Sequence, residues 1–401
     1  MAEKPRLYRP KVVTMIDTVL LKIPADKFSV TKPDSFEPNA MGLLRQPYLP
    51  FHGQPYLKAI NNPSKEDLKQ GIYRPRLTIY KRVAHGGFRI NLHIELSLPK
   101  LIFGNNFDEL DDVHFDAVIA ALKKQLLLMG VLVTQDNLRS AAVHAVHYSK
   151  NIMFDDFTTA SMILADLEKI KMNRHMDLNR TDFRNQGEAV RYYSKAYEFV
   201  LYDKVADLTK SADRAMEKEE RDCNLQMNIF DAVRRQGKPV EVLRLELRLK
   251  SQQKMKALFE KVGIDSDCTL QSLFSKRMSQ ALLRDYWDDI YEQLVPVLLQ
   301  ELDASQQFAL IVKQRPQWKP QRSLAAVAIC AMIRTEGHRK TRSRLVKRFS
   351  PRTLERIYKD IKGLDFRILN KAKPFQHVTK ALETFVPLKS TDFAILSPQP
   401  L

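Results

Sequence analysis

The sequence predicts an α+β protein: a mostly antiparallel sheet with helices packed on one face over residues 14–262, then an all-α domain over residues 263–380. Three observations lead there. Phe88 to Leu98 alternates apolar and polar residues without a break, the period of a half-buried strand. Strand-like runs alternate with segments whose apolar residues recur three and four apart, as on one helix face. After Gly263 only the helical period remains.

Taken in order, Met15–Ile23 reads as a strand, rich in Val, Ile, Leu and Thr. Pro24–Pro63 carries many prolines and few periodic apolar positions, which predicts loops, irregular strands and an edge. Leu77–Val83 and Phe88–Leu98 form a hairpin turned at His85-Gly86-Gly87, since glycine accepts positive φ. Asp111 or Asp112 caps a helix carrying Phe115, Val118, Leu122, Leu126 and Met129, and Gly130 ends it. Val143–Tyr148 is a strand, and Thr158 or Thr159 caps the next helix. Glu198–Tyr202 is a strand, with Asp203 capping the helix from Lys204. In Val242–Lys250 the leucines at 243, 245, 247 and 249 take one face and Arg244, Glu246, Arg248 and Lys250 the other. Leu282–Leu302 is a long amphipathic helix, and Ser323–Thr335, Thr341–Phe349 and Pro351–Ile361 are three short ones. No internal repeat stands out.

Charge narrows the function. The 401 residues hold 65 Lys and Arg against 47 Asp and Glu, a net +18. Such a surplus favours a polyanionic partner, nucleic acid before an acidic membrane. Cys223, Cys268 and Cys330 are scattered and odd in number, which argues against a zinc knuckle or a disulfide scaffold and suits a reducing cytoplasm. No run approaches the ~18 apolar residues of a membrane span, and Met1–Arg6 opens without a signal-peptide core. A cytoplasmic protein is expected.

The residue types suggest chemistry on phosphodiesters. In Phe199–Leu208, Tyr202 and Lys204 lie two apart, and if the strand runs on to Lys204 they share a face with Glu198. A cation beside a phenol favours phenolate, a nucleophile for phosphorus. The plain alternative is a structural tyrosine next to a surface lysine. Glu95 and Glu246 sit on polar faces of apolar strands, and with His93 or His147 they could surround Mg²⁺ or Mn²⁺. Alternatively Glu246 pairs with Arg244 and Arg248. His144 and His147, three apart on a strand, face opposite ways. No ATP-binding loop, HExxH motif or nucleophile elbow is present. Toward the C terminus, His338–Phe349 holds Arg339, Lys340, Arg342, Arg344, Lys347 and Arg348, followed by Ser350-Pro351-Arg352, a good helix start. Short basic helices of this kind suggest a helix-turn-helix on duplex DNA, or else a solvated cap.

Four islands in this order resemble the gene II/X replication initiators of filamentous phages and related plasmids: Met15-Ile16-Asp17; Ile94 to Lys100 with Gly104-Asn105; Tyr202-Asp203-Lys204 leading to Asp207-Leu208; and Leu243 to Arg248. The resemblance implies a rolling-circle initiator fold and a metal-dependent nickase that opens one origin strand, keeps its end as a 5′-phosphotyrosine and rejoins ends after synthesis. It makes Tyr202 the nucleophile with Lys204 beside it. Glu95, Glu246 and His147 become ligands of Mg²⁺ or Mn²⁺, although His147 departs from the family's Arg-x-Asp. Tyr192, Tyr193 and Tyr197 compete with Tyr202 for the nucleophile's role. Arg244, Arg248 and the basic C-terminal residues become DNA contacts. Expected partners are origin DNA, supercoiled and single-stranded, a host helicase and polymerase, and further copies of the chain. A non-catalytic DNA-binding protein and a plasmid mobilisation relaxase are the other readings. The relaxase would carry a histidine-hydrophobe-histidine triplet, and none occurs.

Overall fold

A computed structural model describes residues 15–45, 56–84, 87–170, 177–179, 189–217, 241–299, 302–365 and 372–392. The expected turn at His85-Gly86, Cys223 and the side chain of Arg339 lie outside the described residues. The strands are β1 (Ile16–Pro24), β2 (Ser29–Val30), β3 (Tyr56–Asn61), β4 (Arg76–Ala84), β5 (Gly87–Ser97), β6 (Val131–Leu132), β7 (Ala142–Phe154), β8 (Asp177–Asn179), β9 (Ala189–Tyr193), β10 (Tyr197–Asp203) and β11 (Glu241–Leu249). Nine of them form one sheet in the order β3-β4-β5-β1-β7-β11-β10-β9-β8, antiparallel at every step. The chain is thus α+β with a large antiparallel sheet.

The strand order is a mirror. From the central β1–β7 pair, β5, β4 and β3 lead outward on one side, and β11, β10 and β9 on the other. In both halves the inner strand is the last made and the outer strands precede it. The strand order and directions of the two halves match about an axis normal to the sheet, although the connections differ and β8 has no counterpart.

Alternation makes the sheet two-faced. Val19, Leu21, Ile94, Leu96, Val143, Val146, Leu245, Leu247, Phe199 and Leu201 are buried on one face. Helices at Ala160–Leu167, Gln252–Lys261, Lys276–Leu298 and Lys373–Thr384 pack against these strands. Tyr286 of the long helix stacks on Phe199, with ring centroids 5.4 Å apart. Trp287 Nε1 donates to Thr379 Oγ1 at 2.9 Å and ties that helix to the 373–384 helix. One apolar core runs through sheet and C-terminal helices alike, so the expected boundary at 262/263 does not separate two cores.

Local signals explain most element ends. Thr159 accepts from Met162 N at 3.2 Å and starts its helix. Asp203 Oδ1 accepts from Val205 N and Ala206 N at 2.8 and 2.9 Å and turns β10 into the helix Lys204–Glu217. The helix Phe115–Leu128 ends before Gly130, whose φ of 79° only glycine adopts easily. Pro320–Val346 is interrupted at Gly337 (φ 77°, ψ 160°), giving two of the three short helices expected there, and Pro351–Lys362 is the third. The edge strand β3 falls in the proline-rich region, where irregular strands and an edge were expected. One feature has no sequence signal: β7 runs past Tyr148 through polar Ser149, Lys150 and Asn151. Those residues are buried because each has a partner: Glu109 for Lys150 at 2.8 Å, Arg244 for Ser149 at 2.8 Å and Phe107 O for Asn151 at 2.8 Å.

Candidate functional site

The opposite face of the sheet carries the polar side chains. Register fixes it, because residues directly opposite share a face. One row runs Ser97, Thr18, His147, Arg248, Glu198 and Tyr193 across six strands. The next rows on β11 and β10 bring Glu246 opposite Val200 and Arg244 opposite Tyr202. Two irregularities in the β1–β7 register add residues to this face, as bulges do. One lies between Ile16 and Thr18 and presents Asp17 to Arg244, Oδ1 to Nη2 3.3 Å. The other breaks the period at His144, which therefore shares a face with His147, against the expectation that they diverge. The His144 ring lies 5.9 Å from that of His93, the residue opposite Lys22.

Tyr202 and its neighbours form a compact charged cluster. The half-buried Tyr202 donates to Glu246 Oε2 at 3.4 Å. Glu246, buried, also accepts from Arg248 Nε and Nη2 at 3.0 and 3.1 Å and faces His147 Nδ1 at 3.2 Å. Burial pushes the Glu246 carboxyl up, but Arg248 and His147 outweigh it and hold the group well below the usual carboxylate range. Lys204 is 1 % exposed, with Nζ 3.2 Å from Asp207 Oδ2 and 5.8 Å from the Tyr202 ring centre. Burial and the Arg244 charge lower the Lys204 ammonium, against the pull of Asp207 and Asp17. Burial raises the Tyr202 phenol well above its ordinary value, and Arg244 opposes that rise.

Beside the cluster, Phe107, Leu208 and Val242 close a small apolar patch of their own on this face, with Val205, Met153 and Leu388 against it. The Asn105–Glu109 segment is held there: Arg244 Nη1 donates to Asn106 O at 2.9 Å, and Leu388 N donates to Glu109 Oε2 at 2.8 Å. The Tyr202 cluster therefore sits where the open sheet face meets this small covered end.

The structure gathers some of the expected residues and separates others. Tyr202, Lys204, Glu246, His147, Arg244 and Arg248 come together. Glu95 does not. It lies opposite Leu20 on β1 and is exposed, while Glu246 lies on β11, three strands away. At ~4.8 Å per strand and ~3.3 Å per residue the two glutamates are roughly 20 Å apart. The two glutamates hold matching places in the mirrored strand order. Each stands two residues before the residue flanking the central Thr18–His147 pair, Ser97 in one half and Arg248 in the other. Glu95, Glu246 and His147 thus make no single ligand set for Mg²⁺ or Mn²⁺, and Glu246 is already neutralised by Arg248. Among the described residues no group of three or more His, Cys, Asp or Glu could hold a metal ion.

The competing tyrosines also separate. Tyr192 is buried in the core and donates to Leu167 O at 2.6 Å. Tyr197 lies 5.9 Å from the core residue Tyr286. Tyr193 stays on the polar face, 5.5 Å from the Arg191 guanidinium. Arg244 was expected to touch DNA, yet it is 2 % exposed and bonded to Ser149, Asn151 and Asn106, so it is an internal cation of the cluster. Lys340, Lys347, Arg348 and Arg352 are exposed, Arg344 pairs with Glu336 at 3.1 Å, and Arg342 lies 6.0 Å from the Tyr358 ring centre. Asp17, Asp207 and Glu198 were not singled out as site residues. Both aspartates lay inside the quoted islands, but only Asp207, close after the Tyr-x-Lys pair, carried a signal in the sequence.

No helix among the described residues is long and apolar enough to cross a membrane. The chain matches no protein-family model, no curated protein and no solved structure.

Proposed function

We propose that the chain nicks one strand of DNA through Tyr202, as a replication initiator of the rolling-circle kind. The observation that carries this is the position of the phenol. Tyr202 hydrogen-bonds into the buried charged cluster on the polar sheet face, whereas Tyr192 donates to Leu167 O, the Tyr197 ring lies against Tyr286 and Tyr193 lies against Arg191. Lys204 and Arg244 put buried positive charge beneath the Tyr202 ring, and Arg244 Nε is buried without a hydrogen-bond partner among the described residues. Fixed cations of this kind stabilise the charge that builds on a phosphate during attack.

In the step proposed, Tyr202 Oη bonds to phosphorus and the bond to the 3′ oxygen breaks. The phenol proton passes to Glu246 Oε2, to which Tyr202 donates at 3.4 Å, and the departing 3′ oxygen takes up a proton from the solvent. The 5′-phosphotyrosine conserves the broken linkage, so a 3′-hydroxyl can attack it and restore the strand. The exposed Lys340, Lys347, Arg348 and Arg352 would hold the flanking duplex.

A second reading is DNA binding without cutting. The raised phenol and the ion-paired carboxylates favour it, since both describe a stable rather than a reactive cluster. Incubation with supercoiled DNA carrying the cognate origin, followed by denaturing electrophoresis and peptide mapping, separates the two. Nicking predicts a covalent adduct on the peptide containing Tyr202 that vanishes in Tyr202→Phe. An adduct that survives Tyr202→Phe, or none from the native chain, defeats the assignment.

A further inference from the structure

The half of the sheet that lacks Tyr202 carries an arrangement the nicking cluster does not use. Tyr56 on β3, Tyr80 on β4, His93 on β5 and His144 on β7 form a ladder of rings across the polar face. Their centroids are 5.5, 4.6 and 5.9 Å apart in turn. The Arg82 guanidinium lies 5.3 Å from the Tyr56 ring centre and 5.4 Å from that of Tyr80. The rings are half-buried except His144, which is exposed, so each keeps a surface open to solvent.

The charges around the ladder are unbalanced. Lys58 lies opposite Tyr80, Lys22 opposite His93, and Arg82 directly opposite Arg89. These four cations form no ion pair among the described residues, and the carboxylates seen on this part of the face among those residues are Glu95, opposite Arg76, and Glu37, bridged to Ile60 at the β3 edge. Two arginines facing each other across a strand pair destabilise a sheet. An anion between them would remove that cost. A row of open rings bordered by unneutralised cations matches the chemistry of an unpaired nucleic-acid strand, whose bases stack and whose phosphates are negative.

We infer that the Tyr56–Tyr80–His93–His144 ladder, with Arg82 and Arg89, is a stacking platform for single-stranded DNA. The inference rests on the reading that the chain acts on DNA, and it assigns the strand a path. From His144 to Tyr202 is seven residues along β7 and two strands across, roughly 25 Å at ~3.3 Å per residue and ~4.8 Å per strand. That is the span of about seven stacked nucleotides at ~3.4 Å each. The platform would hold the unpaired strand while Tyr202 meets a phosphate further along it.

The test is fluorescence anisotropy of a labelled 20-nucleotide oligo-dT with the full chain, over a range of salt. Tyr80→Ala should weaken binding about tenfold or more, because it removes a stacking ring. Tyr80→Phe should bind within about twofold of the native chain, because it keeps the ring. Arg89→Ala, at an exposed position, should reduce the slope of log affinity against log salt by about 0.7, one phosphate contact on a single strand. Tyr80→Ala that melts like the native chain and binds equally well would overturn the platform. So would an unchanged salt slope in Arg89→Ala, which also decides the matter if Tyr80→Ala fails to fold. Oligo-dT binding is read without any cleavage, so loss of the adduct alone would leave the platform result standing, and loss of the platform alone would leave the adduct.

Discussion

Replacing Glu246 with Gln isolates the electrostatics of the proposed site. The carboxylate is buried, accepts two bonds from Arg248 and one from Tyr202, and faces His147 at 3.2 Å. Glutamine keeps the shape and removes the charge, so Arg248 and His147 lose their neutralising partner. Breaking a fully buried pair costs about 3–5 kcal/mol, and an exposed pair about 0–1 kcal/mol. The Arg248 side chain is 25 % exposed, which places the expected cost between these ranges, at about 2–3 kcal/mol. Unfolding entropy of about 2.1 cal/mol/K per residue gives roughly 0.8 kcal/mol/K for this chain unfolding as a unit, so Tm should fall by about 3 °C at pH 7. Because the folded carboxyl is held below its ordinary value, its stabilisation is complete above about pH 4.5 and is lost as pH falls through the lower folded value. The gap between native and variant should therefore narrow in acid. Scanning calorimetry at pH 7 and pH 3 measures both effects. Equal Tm values at pH 7, or a wider gap at pH 3, would refute the electrostatic account.

Glu95→Gln should leave adduct yield at Tyr202 unchanged while Glu246→Gln lowers it at least tenfold, a contrast that gel quantification of the adduct measures directly. Gly130→Ala should destabilise by about 1–3 kcal/mol, because φ is +79° and a Cβ there would lie 2.3 Å from Lys32 Cβ, and a drop in Tm of a few degrees would show it. His93 should titrate near pH 4 by NMR, since burial first, then His144, Lys22 and Arg82, depress it from 6.5 to about 4. The unfolded chain binds that proton more readily between pH 6.5 and 4, so His93 makes stability fall as pH drops through this window.

The strands with clean alternation were legible in the sequence. Residues 88–98 and 242–250 were assigned to within a residue or two, because one side of each faces apolar core and the other does not. The caps at Thr159 and Asp203 could be read for the same local reason. What the sequence hid was long-range. Ser149, Lys150 and Asn151 end an apolar pattern, and only partners 41 to 95 residues away keep them inside a strand. Glu95 and Glu246 look interchangeable along the chain, and only the strand order shows that they occupy matching places in opposite halves. Tyr202 beside Lys204 could be read from spacing, but Asp17 reaches that cluster through a register shift in β1 that alternation cannot predict.

The mirrored strand order has one more consequence. The described strands pass from one half to the other once, between Leu132 at the end of β6 and Ala142 at the start of β7. Severed in that interval, the polypeptide yields two fragments, each with the bare backbone of a middle strand along one border. Those borders are each other's complement, β1 against β7, so equimolar fragments are expected to pair again on mixing, which co-elution on gel filtration would check.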